Sequence, residues 1–214
     1  MTRFLLAALL AAPAAAAPQP AQPDTAAKFQ RYVNGAVRGS IRDHWDIQDY
    51  NGRIWLNVSA FGSSISFNGR PISGSLFGSG NYYSISAGGV SGNISRFGNS
   101  VDVRATVFGH GGTRWVNFTM YVNGPTNDPN RAPSLSVYSS DASLNFNPSF
   151  NNEYSVSGWV DDQRFGDEGL ALAFLASTLV MKEHAAVRAS ALPKSDFLQK
   201  SAVLAPLLKT GFGR

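Results

Sequence analysis

From Val37 to Val160 the apolar residues return at every second position, and Gly or Asn interrupts the pattern at short intervals. A period of two places alternate side chains on opposite faces of an extended chain, so this stretch is a series of half-buried strands. The runs are Ile54–Phe61, Ser63–Asn68, Ile72–Phe77, Tyr82–Ala87, Val90–Phe97, Val101–Phe108, Arg114–Val122, Leu135–Ser139 and Tyr154–Val160. Asn51-Gly52, between two such runs, is the strongest hairpin signal, because both residues accept the positive φ of a tight turn. The longest loop, Asn123 to Pro133, contains three prolines. Strands this short, with no helices between them, predict an antiparallel β-barrel or β-sandwich.

A local pattern recurs in Val37-Arg-Gly-Ser-Ile41, Ile72-Ser-Gly-Ser-Leu76, Val90-Ser-Gly-Asn-Ile94 and Val156-Ser-Gly-Trp-Val160. The glycine shares a face with both aliphatic residues. Its missing side chain lets the strand coil sharply or lets a ring settle over it. The expectation is a strongly curved sheet.

The flanks read differently. Met1 to Ala17 has one basic residue, Arg3, then an apolar run and Ala-x-Ala-type small residues, the layout of a secretory signal peptide. Residues 18–24 form a Pro-rich linker. Asp24 can cap a short helix from Thr25 to Asn34 at the start of a β domain spanning 25–166. Leu170 to Met181 is apolar all round and must be buried in protein or lipid. Ser195 can cap a further helix to Leu208, with Pro193 between the two. Residues 167–214 are therefore expected to form a C-terminal α-helical hairpin packed against the β domain.

The chain has no Cys, which together with the leader predicts an exported bacterial protein, periplasmic or extracellular, rather than a disulfide-stapled secreted domain. The net charge is +4, but the cations concentrate at the C-terminal end, where Lys182, Arg188, Lys194, Lys200, Lys209 and Arg214 face only Glu183 and Asp196. A nucleic-acid binder carries its basic stripe on the folded surface, so nucleic acid is set aside as a partner. The same basic end, residues 170–214, is a candidate for peripheral contact with an anionic membrane.

Alternation also assigns faces. Trp55 lies with Asn57 and Ser59, Trp115 with Asn117, Thr119 and Tyr121, and Trp159 with Ser155 and Ser157, each opposite its strand's aliphatic residues. Tyr82 and Tyr138 are also on polar faces, whereas Trp45 aligns with Ile41 and Ile47. Rings interleaved with amides and hydroxyls suit a glycan or a small amphipathic ligand. Trp55, Asn57, Trp115, Asn117, Tyr121 and Trp159 are thus the candidate binding residues, on the wall of a sheet or in the cavity of a closed barrel. Cross-strand aromatic pairing that merely stabilises the sheet is the competing account.

Catalytic chemistry finds little purchase. His44 in Asp43-His-Trp-Asp46 could be oriented by a carboxylate, but spacing identifies no nucleophile. His110 sits in a glycine-rich turn, and His184 with Arg188 reads as a helix surface. Asp161, Asp162 and Asp167 could offer hard oxygen ligands to a metal, yet they lack a metal-loop spacing and suit a helix start. No phosphate-loop, zincin or nucleophile-elbow motif is present, so no cofactor is implied. The sequence ranks non-catalytic binding first, a structural or membrane-surface envelope component second and a hydrolase third.

Overall fold

The structure, a computed structural model, describes residues 29–39, 43–109, 112–149 and 153–191. The leader, the Pro-rich linker, His110 and the helix expected at 195–208 lie outside them. Twelve strands precede one helix among the described residues: β1 Gln30–Gly39, β2 His44–Asp49, β3 Trp55–Phe61, β4 Ser64–Arg70, β5 Gly74–Ser79, β6 Tyr82–Ala87, β7 Val90–Phe97, β8 Ser100–Gly109, β9 Gly112–Asn123, β10 Ser134–Tyr138, β11 Ala142–Pro148, β12 Glu153–Asp161 and α1 Gly166–Ala191. Each strand pairs antiparallel with the next, and β12 returns to β1, with Gln30 opposite Asp161 and Val37 opposite Tyr154. The sheet is a closed barrel, so no strand edge is left for aggregation.

The inward face is the aliphatic one: Val58, Ile65, Leu76, Val103, Val137, Leu144 and Val156 are buried. Curvature comes from the recurring glycines. A methyl group added at Gly74, Gly92 or Gly158 would run into the backbone carbonyl of Ser86, Arg104 or Ser143 on the neighbouring strand. Strands can approach and coil this tightly only where no side chain intervenes.

Closing twelve strands creates a lumen wider than wall side chains can fill, since about eight strands already give an interior that they just pack. The void is taken by α1, whose residues Leu170 to Met181 are buried. Phe174 meets Phe146 edge-on at 5.8 Å between ring centres, and Phe118 packs on Phe165 at 5.3 Å. The helix is apolar all round because wall surrounds it on every side.

The barrel has two unlike ends. At the entry rim, where α1 begins, the Arg31 guanidinium gathers three carboxylates: Nε lies 2.7 Å from Asp162, Nη2 2.5 Å from Asp167 and Nη1 3.6 Å from the fully buried Asp49. Arg114 pairs with Glu168 on the first turn of α1. At the exit rim Arg96 Nε lies 3.3 Å from Glu183, Lys182 Nζ donates to the Gly62 carbonyl at 3.1 Å, and the His184 ring donates to the Asp128 carbonyl at 2.9 Å. From Ala185 onward α1 projects out of the barrel and is largely exposed.

Three expectations need correction. Gln30 to Asn34 belong to β1, not to a helix, because β12 has no other partner with which to close the barrel. The one C-terminal helix among the described residues fills the lumen instead of packing on the outside of the β domain, and the second helix of the expected hairpin falls outside those residues. His184 is buried under the β9–β10 loop rather than lying on a helix surface.

Candidate functional site

The barrel turns its polar face outward, so the conditional expectation of a polar-aromatic lumen is overturned. Trp45 lines the core, whereas Trp55, Trp115 and Tyr121 are exposed on the outer wall and Trp159 is half-buried there. Asn57 and Asn117 share that outer face with Trp55 and Trp115. The structure does not bring the three tryptophans together. Trp55 on β3 and Trp115 on β9 are six strands apart around a twelve-stranded ring, on opposite sides, with Trp159 on β12 midway between them.

It instead gives Trp159 neighbours that sequence reasoning missed. Trp159 stands directly opposite Tyr32 on β1 and opposite Ser143 on β11, which in turn faces Tyr138 on β10. Tyr32 and Tyr138 are among the most exposed rings of the molecule. One outward position along the strands runs a parallel row: Asn34, Ser157, Asn145, Ser136 and Tyr121. Adjacent strands lie about 4.8 Å apart, so the aromatic row from Tyr32 to Tyr138 extends about 14 Å across the wall. These outward positions carry no charge. Charged groups flank them, Arg38 with Glu153 toward the exit rim, and Asp161 and the Asp141–Arg164 pair toward the entry rim. The missed signal is Tyr32, hidden by the helical reading of its segment, together with β11, whose Ser/Asn-rich run Ala142-Ser-Leu-Asn-Phe146 still alternates correctly.

Trp115 has a different setting. It lines a cleft of about 540 Å³ at the entry rim with Arg114, Asp141, Gln163, Arg164 and Glu168. Both arginines are already paired, Arg114 with Glu168 and Arg164 with Asp141 at 3.5 Å.

His44 lies on the outer wall with Nδ1 2.8 Å from Ser59 Oγ and Nε2 3.6 Å from Asp46. The residue types are those of a hydrolytic triad. Among the described residues, the strands that carry them are paired on both sides in the ladder, β2 with β1 and β3, and β3 with β2 and β4. Asp162 and Asp167 are held by Arg31 and Arg53, and Asp161 accepts the backbone N–H groups of Gln163 and Arg164. Among the described residues no cluster of His, Asp and Glu has a metal-holding geometry. Burial raises the carboxyl pKa of Asp167 above its ordinary value even though Arg31 and Arg53 pull it down.

Comparison of the chain with protein-family models, with curated proteins and with solved structures gave no match.

Proposed function

We propose that this is an exported bacterial envelope protein, periplasmic or extracellular, that binds a glycan without catalysis on the wall formed by β1, β12, β11 and β10. The cross-strand row Tyr32, Trp159, Ser143 and Tyr138, set beside Asn34, Ser157 and Asn145, carries the reading. A pyranose ring has an apolar face and a hydroxylated edge. The aromatic row offers flat area for the first and the amide row offers directional partners for the second. The uncharged middle of this wall, between Arg38–Glu153 and Asp161, suits a neutral polymer better than an ionic ligand, and the leader and absent cysteines support the location.

Affinity electrophoresis and a glycan array test the proposal. Tyr32→Ala with Trp159→Ala should weaken retention by about tenfold or more, since each aromatic contact is worth about 0.5–1.5 kcal/mol beyond its buried area. Trp55→Ala, a quarter turn around the barrel from Trp159, should leave retention unchanged. Undiminished binding by the double variant sinks the wall as the site. A small amphipathic ligand in the rim cleft is the second reading, favoured by Trp115 lining that cleft. Loss of binding on Trp115→Ala alone would select it.

A further inference from the structure

The two rims differ in chemistry. At the entry rim the β2–β3, β10–β11 and β12–α1 turns carry Arg53, Asp141, Asp162 and Arg164, all four in ion pairs. On the exit rim, three hairpins in succession around the ring have uncharged tips, each flanked by an exposed aromatic ring. Phe61 precedes Gly62-Ser63 between β3 and β4, Tyr82 follows Gly80-Asn81 between β5 and β6, and Phe97 precedes Gly98-Asn99 between β7 and β8. Phe61 is 75 % exposed, Phe97 64 % and Tyr82 52 %, and Phe77 on β5 extends the same patch downward. None of the four has a ring partner among the described residues. This is also the rim from which α1 emerges. Past Ala191 the sequence carries Lys194, Lys200, Lys209 and Arg214 against one acidic residue, Asp196.

We propose that the β3–β8 side of the exit rim docks on an anionic lipid surface, with Phe61, Tyr82 and Phe97 entering the headgroup region. Aromatic side chains flanked by small polar residues favour that boundary because it takes the ring out of water while leaving nearby backbone groups solvated. Shallow insertion of a few rings gives weak binding, and basic residues held above anionic headgroups strengthen it. The charge carried by the sequence beyond Ala191 is of the sign that such a surface attracts, and α1 leaves the barrel at the rim bearing the rings.

The test is co-sedimentation of the full chain with vesicles of phosphatidylcholine alone and of phosphatidylcholine mixed with phosphatidylglycerol. Binding is expected to the mixed vesicles, and Phe61→Ser, Tyr82→Ser and Phe97→Ser combined should weaken it by about tenfold or more. A separate Phe97→Trp variant, which leaves the core untouched, should show a blue-shifted difference emission on mixed vesicles and quenching by a lipid-borne quencher. No binding to mixed vesicles overturns the proposal. So does equal binding by the triple variant, which would assign the contact to the basic segment alone, or a Phe97→Trp signal indifferent to lipid.

Discussion

Tyr154 shows what one buried polar atom does in this molecule. Its ring points into the barrel from β12, and its hydroxyl donates to the Pro133 carbonyl at 2.6 Å, fastening the end of the β9–β10 loop to the wall. Tyr154→Phe leaves that carbonyl without a partner, and a loss of about 1–3 kcal/mol is expected in urea denaturation. Burial also pushes the phenol well above its ordinary pKa. The unfolded chain therefore releases this proton at about pH 10, while the folded protein still holds it. The tyrosine's contribution is full below about pH 10 and is lost as pH rises further. Wild type should lose stability more steeply than Tyr154→Phe as pH rises above about pH 10, and equal slopes would show that the phenol is not linked to folding. At this scale much was legible. Alternation set Trp45 with its strand's aliphatic residues and Trp55, Trp115 and Trp159 opposite theirs, and closure of the barrel decided that this polar face turns outward. It could not place His184, because the loop that covers it lies 56 residues away in the chain.

Among the elements, α1 is the one whose surroundings decide its meaning. It is long and apolar enough to cross a membrane by length and composition, yet 72 % of its most apolar window is buried inside the barrel. Sequence could say that Leu170 to Met181 must be buried but not in what. The fit is local as well as general: the Phe174 ring reaches the wall at Gly35 and meets Phe146. Phe174→Ala should open a cavity that neither a helix nor a closed wall can collapse, at a cost of about 3–5 kcal/mol. A change well under 1 kcal/mol in denaturant midpoint analysis would mean that the lumen is loosely filled. Strand boundaries were mostly readable because turn residues mark them, as at Asn51-Gly52, whose Gly52 has φ of 74°. The exceptions were β1, where Phe29 and Val33 satisfy a helical spacing as well as a period of two, and β11, whose small polar residues weaken the alternation.

For the molecule as a whole, barrel and helix share one core: Val33, Val116, Phe118 and Phe146 of the wall are buried together with Phe165, Leu170 and Phe174. Neither part can keep its apolar surface from water without the other. Far-UV circular dichroism at the helix band and tryptophan fluorescence should therefore report coincident unfolding transitions. A fluorescence change that precedes loss of the helix signal would show that the wall opens around an intact α1.

The sequence by itself determined which residues share a face of each strand it recognised and that Leu170 to Met181 must be buried, because these follow from side-chain period and from the conformations that Gly, Asn and Pro allow. Only the tertiary structure decided that the sheet closes, that the helix lies within it and that Tyr32 meets Trp159 while Trp55 and Trp115 stand apart. Those facts depend on which strand neighbours which around the ring. Strand order is set by closure and by the volume that must be filled, and no local stretch of sequence carries that information.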